Sequence, residues 1–370
     1  MRRIEFNFRG GGRAFRRACG KIPPGGWIAM WAAGLIGTAL CIPLLLVDDV
    51  PVRQYHSAGQ LAQTAPKEKT EIGRETEMEI EVRVYVTKEN AIETVALNDY
   101  VRGVVAAEMP ADFELEALKA QAIAARTYIV RRLAAGDRSG VPVEGADITD
   151  TVAHQAYISQ KGAARGTADS AGQDRIGRAV AETGDTIMTY RNEPIEAVFF
   201  STSNGYTENS EDYWQQKIPY LRSVSSPWDK SLAPNYEETV TMPVSDFLQK
   251  LNLDSAAVPA FGNKAGGKGA IRVLERTKGR RIKQIQIGGQ SFSGREVREK
   301  LGLRSSHFTW SIDGANIRIT TYGNGHGVGM SQWGANGMAK EGKTAQQILQ
   351  HYYTGIQFEK ASNILRNGSK

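Results

Sequence analysis

From Trp27 to Val47 the chain runs without a charged residue, and that stretch limits what the whole can be. It is close to the ~20 apolar residues that a helix needs to cross a bilayer core. Residues 27–47 therefore read as one transmembrane helix. Arg2, Arg3, Arg9, Arg13, Arg16, Arg17 and Lys21 precede it against Glu5 alone, and basic flanks stay on the cytoplasmic side. Residues 1–26 are thus expected inside the cell and everything beyond the span outside. A cleaved leader is the alternative: the apolar run is long for a leader and no small-x-small site follows it, whereas Pro43 inside the run weighs against a plain spanning helix.

The remainder has ordinary globular make-up. Of 370 residues, 41% are hydrophobic and 23% charged, which excludes both a disordered chain and a multi-span membrane protein. The net charge of +6 sits largely in the basic N-terminal segment, whose simpler role is orientation, so no nucleic-acid partner is inferred. Cys19 and Cys41 lie before or inside the span. The exported part has no thiol for a disulfide or a cysteine zinc site and must hold by packing.

Residues 48–77 are polar and patternless and read as a flexible linker; residues 78–360 read as one extracytoplasmic domain. Ile80, Val82, Val84 and Val86 alternate with polar residues as in a half-buried strand, with 92–96 as its pairing partner. Asn98 and Asp99 are suited to cap a helix over 100–109 that Pro110 stops. A longer helix follows over 114–135, with Leu115, Leu118, Ala122, Ala125, Ile129 and Leu133 on one stripe and Arg126 at its edge. Beyond a long loop over 136–172, a helix near 176–182 leads to β segments over 186–190 and 195–200, joined by a turn at 191–194. Aromatic-rich loops reach residue 229. A smaller α+β subregion spans about 240–321, with a helix over 244–251, strands near 271–274, 282–287, 308–312 and 317–321, and a capping box from Ser293 to Glu296 opening a helix that reaches Leu301. A last helix covers 344–353. The expected fold class is α+β, mixed helices and β-segments around a central cleft, behind one N-terminal transmembrane helix.

Glu108 is the strongest candidate for chemistry. It lies between Val104-Val-Ala-Ala107 and Met109-Pro110, at the C-terminal end of a helix, where apolar surroundings and the helix dipole both raise a carboxyl pKa. A carboxyl group protonated near neutral pH is what a general acid requires; the alternative is a solvated glutamate at a helix end. Arg126 needs an acceptor or anion: Glu108, or substrate or a water that orients the acid, or, as a packing ion pair, Glu93 or Asp99. His326, among the glycines of 323–329, either faces a cleft or is structural. Tyr206, Trp214 and Trp333 can stack on sugar faces, and Ser203, Asn204 and Gln332 can bond hydroxyls; their other reading is core and turn residues. No metal-ligand spacing, phosphate loop or G-x-S-x-G motif occurs.

Several long motifs resemble one family. They are Leu97-Asn-Asp-Tyr-Val-Arg-Gly-Val-Val-Ala-Ala-Glu-Met-Pro110, Glu116-Ala-Leu-Lys-Ala-Gln-Ala-Ile-Ala-Ala-Arg-Thr-Tyr128, Phe199-Phe-Ser-Thr-Ser-Asn-Gly-Tyr206, Pro219-Tyr-Leu-Arg-Ser-Val224 and Gly325-His-Gly-Val-Gly-Met-Ser-Gln-Trp-Gly-Ala335. In this order, across about residues 80–358, they look like the stage II sporulation protein D family. The resemblance implies a lytic transglycosylase that cuts peptidoglycan glycan strands between N-acetylmuramic acid and N-acetylglucosamine during forespore engulfment, with Glu108 as acid/base. It implies denuded glycan as substrate and the stage II proteins M and P as partners; the candidate substrate contacts, on the residues themselves, are Arg126, Ser203, Asn204, Tyr206, Arg222, His326, Gln332 and Trp333. Some members carry a zinc site of cysteines and a histidine; this chain has His154 but no cysteine there, so no metal and no cofactor are expected. A domain shared with amidase enhancers supplies the rival reading, a non-catalytic glycan-binding enhancer.

Overall fold

A computed structural model describes residues 80–159, 161–162, 170–253 and 270–367. The expected transmembrane helix and linker lie outside these residues. Among the described residues no helix is long and apolar enough to cross a membrane.

The fold is α+β. Strands β1 (Glu81–Val86) and β2 (Ala91–Ala96) form an antiparallel hairpin, as their alternation predicts, and lead into α1 (Leu97–Glu108) and α2 (Leu115–Ala135). The short β3 (Ile148–Thr149) adds to β1 in parallel. Next come α3 (Ser170–Thr183), β4 (Thr186–Tyr190) and β5 (Glu193–Pro194). Arg191 and Asn192 both take positive φ, so the β4–β5 turn is two residues long, tighter than the four expected. After β6 (Phe199–Phe200), the 201–236 loops carry only the single-turn helices α4 (Glu211–Trp214) and α5 (Asp229–Leu232).

Strand β7 (Glu237–Pro243) and α6 (Val244–Lys250) open the smaller region, which continues through β8 (Ile271–Arg276), β9 (Ile282–Ile287), β10 (Gln290–Ser293), α7 (Gly294–Leu301), β11 (Phe308–Asp313) and β12 (Asn316–Tyr322). Its two antiparallel sheets, ordered β10-β9-β8 and β11-β12-β7, enclose an apolar cluster that includes Phe247, Ile285, Val297 and Ile319. Ser293 and Glu296 close the expected capping box at α7. The chain then returns to the larger region through β13 (Met330–Ser331), α8 (Gln332–Lys340), α9 (Ala345–Tyr352), β14 (Gln357–Lys360) and α10 (Ala361–Asn367).

The larger core is organised around α2. The single stripe expected for it is too narrow: Ala117, Ala120, Ala124, Thr127 and Val130 are buried along with the stripe, because α1, α3, β4, α8 and α9 all pack on this helix. Small alanines permit that close approach and leave little amphipathic signal. A second correction concerns α1, which begins at Leu97; Ala96 is its N-cap, without a side-chain bond. Asn98 lies inside the helix, and its side-chain oxygen accepts from Arg126 Nη2 at 3.2 Å instead of capping.

Candidate active site

Glu108 is the last residue of α1 and its side chain is partly buried. Two N–H groups from distant segments meet its two oxygens. The Ala156 backbone N–H donates to Oε1 at 3.3 Å and the Gln332 side-chain amide donates to Oε2 at 3.2 Å. Burial raises the carboxyl pKa above the usual glutamate value, and these two donors, which favour the anion, partly oppose the rise. Among the described residues no charged side chain contributes to the shift. The group is therefore an acid held toward its neutral form by dehydration, with donors in place for the anion it becomes.

Each donor has its own support. Ala156 belongs to a loop tied to α1 by the Ile158 N–H donating to the Gly103 carbonyl at 3.1 Å, by the Tyr100 hydroxyl donating to Gln155 Oε1 at 2.8 Å, and by Tyr100 stacked on Tyr157 with centroids 5.5 Å apart. Gln332 is the first residue of α8. Ser331 caps that helix by accepting from the Gly334 N–H, and β13 pairs with β6 in parallel just before it. The first turns of α8 then dock on the α1–α2 connection: Trp333 meets Phe113 edge-on at 4.7 Å, and Asn336 Oδ1 accepts from the Glu114 N–H at 2.9 Å. Gly334 must be glycine, since a Cβ there would lie 2.1 Å from the Tyr352 hydroxyl and 2.4 Å from Ser226 Oγ.

Of the candidates, the structure brings Gln332 to the acid and packs its neighbour Trp333 on Phe113; the others have contacts of their own. Arg126 is fully buried, and its guanidinium donates to Thr183 Oγ1, the Thr186 and Val180 carbonyls and Asn98 Oδ1. It engages none of Glu108, Glu93 or Asp99; Asn98 is ten residues up α1, about 15 Å from the acid at helical rise. Burial pulls its pKa down to about 10. It joins α1, α2 and α3 and is a packing residue rather than a glycan contact.

Ser203 is also fully buried, with its N–H on Asp229 Oδ1 at 2.7 Å and its hydroxyl on Asp229 Oδ2 at 2.9 Å. Asn204 donates to the Gly279 carbonyl at 2.9 Å and contacts His307 Nδ1 at 2.8 Å, which ties its loop to the smaller region. Tyr206 accepts from Arg280 at 2.8 Å, and the same guanidinium lies 4.2 Å from its ring centre. Arg222 forms a two-point ion pair with Glu211 at 2.5 and 2.8 Å, holding that carboxyl down at about 2. His326 sits among Phe200, Tyr213 and Trp214 and accepts from the Val328 N–H at 3.1 Å. Burial, with Arg298 and Arg281 nearby, pushes its pKa down to about 3, so its imidazole is neutral at physiological pH. His154 has both ring nitrogens engaged, with Thr149 Oγ1 at 2.7 Å and the Ser139 carbonyl at 2.9 Å. A surface hollow of about 470 Å³, lined by Arg131, Arg132, Tyr190 and Tyr220 among others, lies at the other end of α2 from the acid.

Sequence reasoning passed over Ala156, which contributes only its backbone, and Asp229, whose setting Pro227-Trp-Asp229 in a polar loop gives no sign that it is fully buried.

A family profile described as "Stage II sporulation protein" matches residues 85–190, a range that contains Glu108. Stage II sporulation protein D of Bacillus amyloliquefaciens is 44% identical over 340 residues, covering 89% of this chain and 96% of that protein. The protein of the same description from Bacillus subtilis (strain 168) is 43% identical over 339 residues, with the same two shares. An amidase enhancer of Bacillus subtilis (strain 168) is 28% identical over 299 residues, 69% of this chain and 39% of the enhancer.

Proposed function

This chain belongs to the stage II sporulation protein D family, and from that premise we propose that it is a lytic transglycosylase, cutting peptidoglycan between N-acetylmuramic acid and N-acetylglucosamine with Glu108 as its acid/base. The observation that carries the reading is the partly buried Glu108 carboxyl with an N–H donor on each oxygen and its pKa raised by burial. Protonated, it donates to the departing O4. The Gln332 amide and the Ala156 N–H then stabilise the carboxylate, which takes the proton of the muramic C6 hydroxyl as that oxygen closes on C1. The nucleophile is the substrate's own, so the second carboxylate that ordinary glycosidases need has no task here. Denuded glycan incubated with the protein is expected to give 1,6-anhydromuramic ends by mass spectrometry.

One observation favours a second reading. The amidase enhancer matches over 69% of this chain, and an enhancer needs a surface rather than a titrating carboxyl group. Glycan binding and amidase stimulation without any anhydro product would select it.

By family membership, forespore engulfment is the proposed setting, with the stage II proteins M and P as partners. The proposed topology follows from the charge asymmetry about residues 27–47: one span, N-terminus in the cytoplasm, the domain outside. Protease added to intact protoplasts should remove everything beyond the linker; a protected C-terminal region would refute this placement.

A further inference from the structure

Asp229, in α5, is fully buried where three loops meet. Its Oδ1 accepts from the Ser203 N–H at 2.7 Å and from the Ser331 hydroxyl, and its Oδ2 from the hydroxyls of Ser203 at 2.9 Å and Ser226 at 2.8 Å. Four donors on two oxygens match an acceptor-only carboxylate. Dehydration raises its pKa above the ordinary aspartate value and the donors partly oppose the rise; among the described residues, the Tyr352 and Tyr236 phenols and the Arg281 guanidinium feel its charge.

The four bonds lead in different directions. Ser226 Oγ continues to the Tyr352 hydroxyl at 2.8 Å, in the core. Ser331 leads to the acid. Its hydroxyl proton is committed to Asp229, which leaves a lone pair for the Gly334 N–H and fixes the cap of α8. The next residue is Gln332, whose amide rests on Glu108 Oε2.

We propose that Asp229 is a positioning residue for Glu108: by holding Ser331 it sets the start of α8 and so the Gln332 amide on the acid. This rests on reading Glu108 as the acid, and it gives the buried carboxylate a task in the reaction without contact with substrate. Loss of Asp229 or of the Ser331 hydroxyl then has the same consequence as loss of Gln332, because each removes an N–H that favours the Glu108 anion.

The test is a ¹³C-carboxyl titration of the full chain in detergent, with the Glu108 signal identified by its loss in Glu108→Gln. Asp229→Asn, Ser331→Ala and Gln332→Ala are each expected to move the Glu108 midpoint upward by roughly 1–2 pH units, the scale of one hydrogen bond to a carboxylate. Combining Asp229→Asn with Gln332→Ala should add nothing further. Ser226→Ala, which breaks a bond to the same carboxylate on the core side, should lower the melting temperature and leave the midpoint in place. An unmoved midpoint in folded Ser331→Ala overturns the proposal, and so does an equal shift in Ser226→Ala; if Asp229→Asn fails to fold, the two serine variants decide. The titration needs no turnover, so a wild type that yields no anhydro product refutes the lytic reading and leaves this comparison standing. Where product forms, the alkaline limb of its pH profile should move with the midpoint.

Discussion

Glu108→Gln is expected to fold, to bind glycan and to lose at least about 100-fold in anhydro-product formation, the lower end of what general acid–base catalysis contributes. Glutamine keeps the shape, and its amide oxygen can still accept one of the two N–H donors. It can neither release a proton to O4 nor take one from the C6 hydroxyl. The partly buried position makes the substitution mild for stability, because dehydration already works against the charge that glutamine lacks. The measurement is product yield beside glycan pull-down for wild type and variant. Near-wild-type product from the variant would place the acid elsewhere in the chain.

The largest stability effect is expected at the contact between the two regions. Glu208 and Arg281 pair at 3.3 Å with side chains only 3% and 2% exposed. Glu208 Oε1 also accepts from Thr277 Oγ1 at 2.8 Å, while Arg281 donates to the Tyr206 carbonyl at 3.1 Å. Glu208→Ala leaves a buried guanidinium whose Nε and Nη2 already lack partners, and removing one member of such a pair costs about 3–5 kcal/mol. Glu208→Ala with Arg281→Met removes both charges and should recover much of that loss. Urea unfolding of the domain from residue 78 onward gives both values; a Glu208→Ala cost below about 1 kcal/mol, as for an exposed pair, would mean that water reaches the site.

The elements legible in the sequence are those whose cause is local. The β1–β2 hairpin follows from alternation, and the start of α7 from one serine and one glutamate. Helix α8 has no signal in the sequence, because Gly334, Asn336 and Gly337 disfavour a helix. Its cause is tertiary: Gly334 lies under Tyr352 and Ser226, Gly337 lies against Trp228, and Trp333 finds Phe113. Arg126 shows the same limit in reverse. Its need for acceptors was readable, but the acceptors are a hydroxyl and carbonyls contributed by α3 and β4 and the Asn98 amide oxygen of α1, and no periodicity in α2 points to them. At the acid, Glu108 was visible from its apolar flanks, while its amide donor is 224 residues further along the chain.

That separation bears on the order of events during export. On the proposed topology the chain emerges N-terminus first, so Glu108 reaches the outside long before Gln332 and the turns of α8 that dock beside it. Until then the carboxyl end of α1 has neither its amide nor the packing that dehydrates it. An open, hydrated glutamate ionises near its ordinary value of about 4.3 and has no proton to give at neutral pH. A chain stalled in translocation short of α8 would therefore carry Glu108 without the Gln332 donor and without the full rise in pKa that burial gives it in the folded domain.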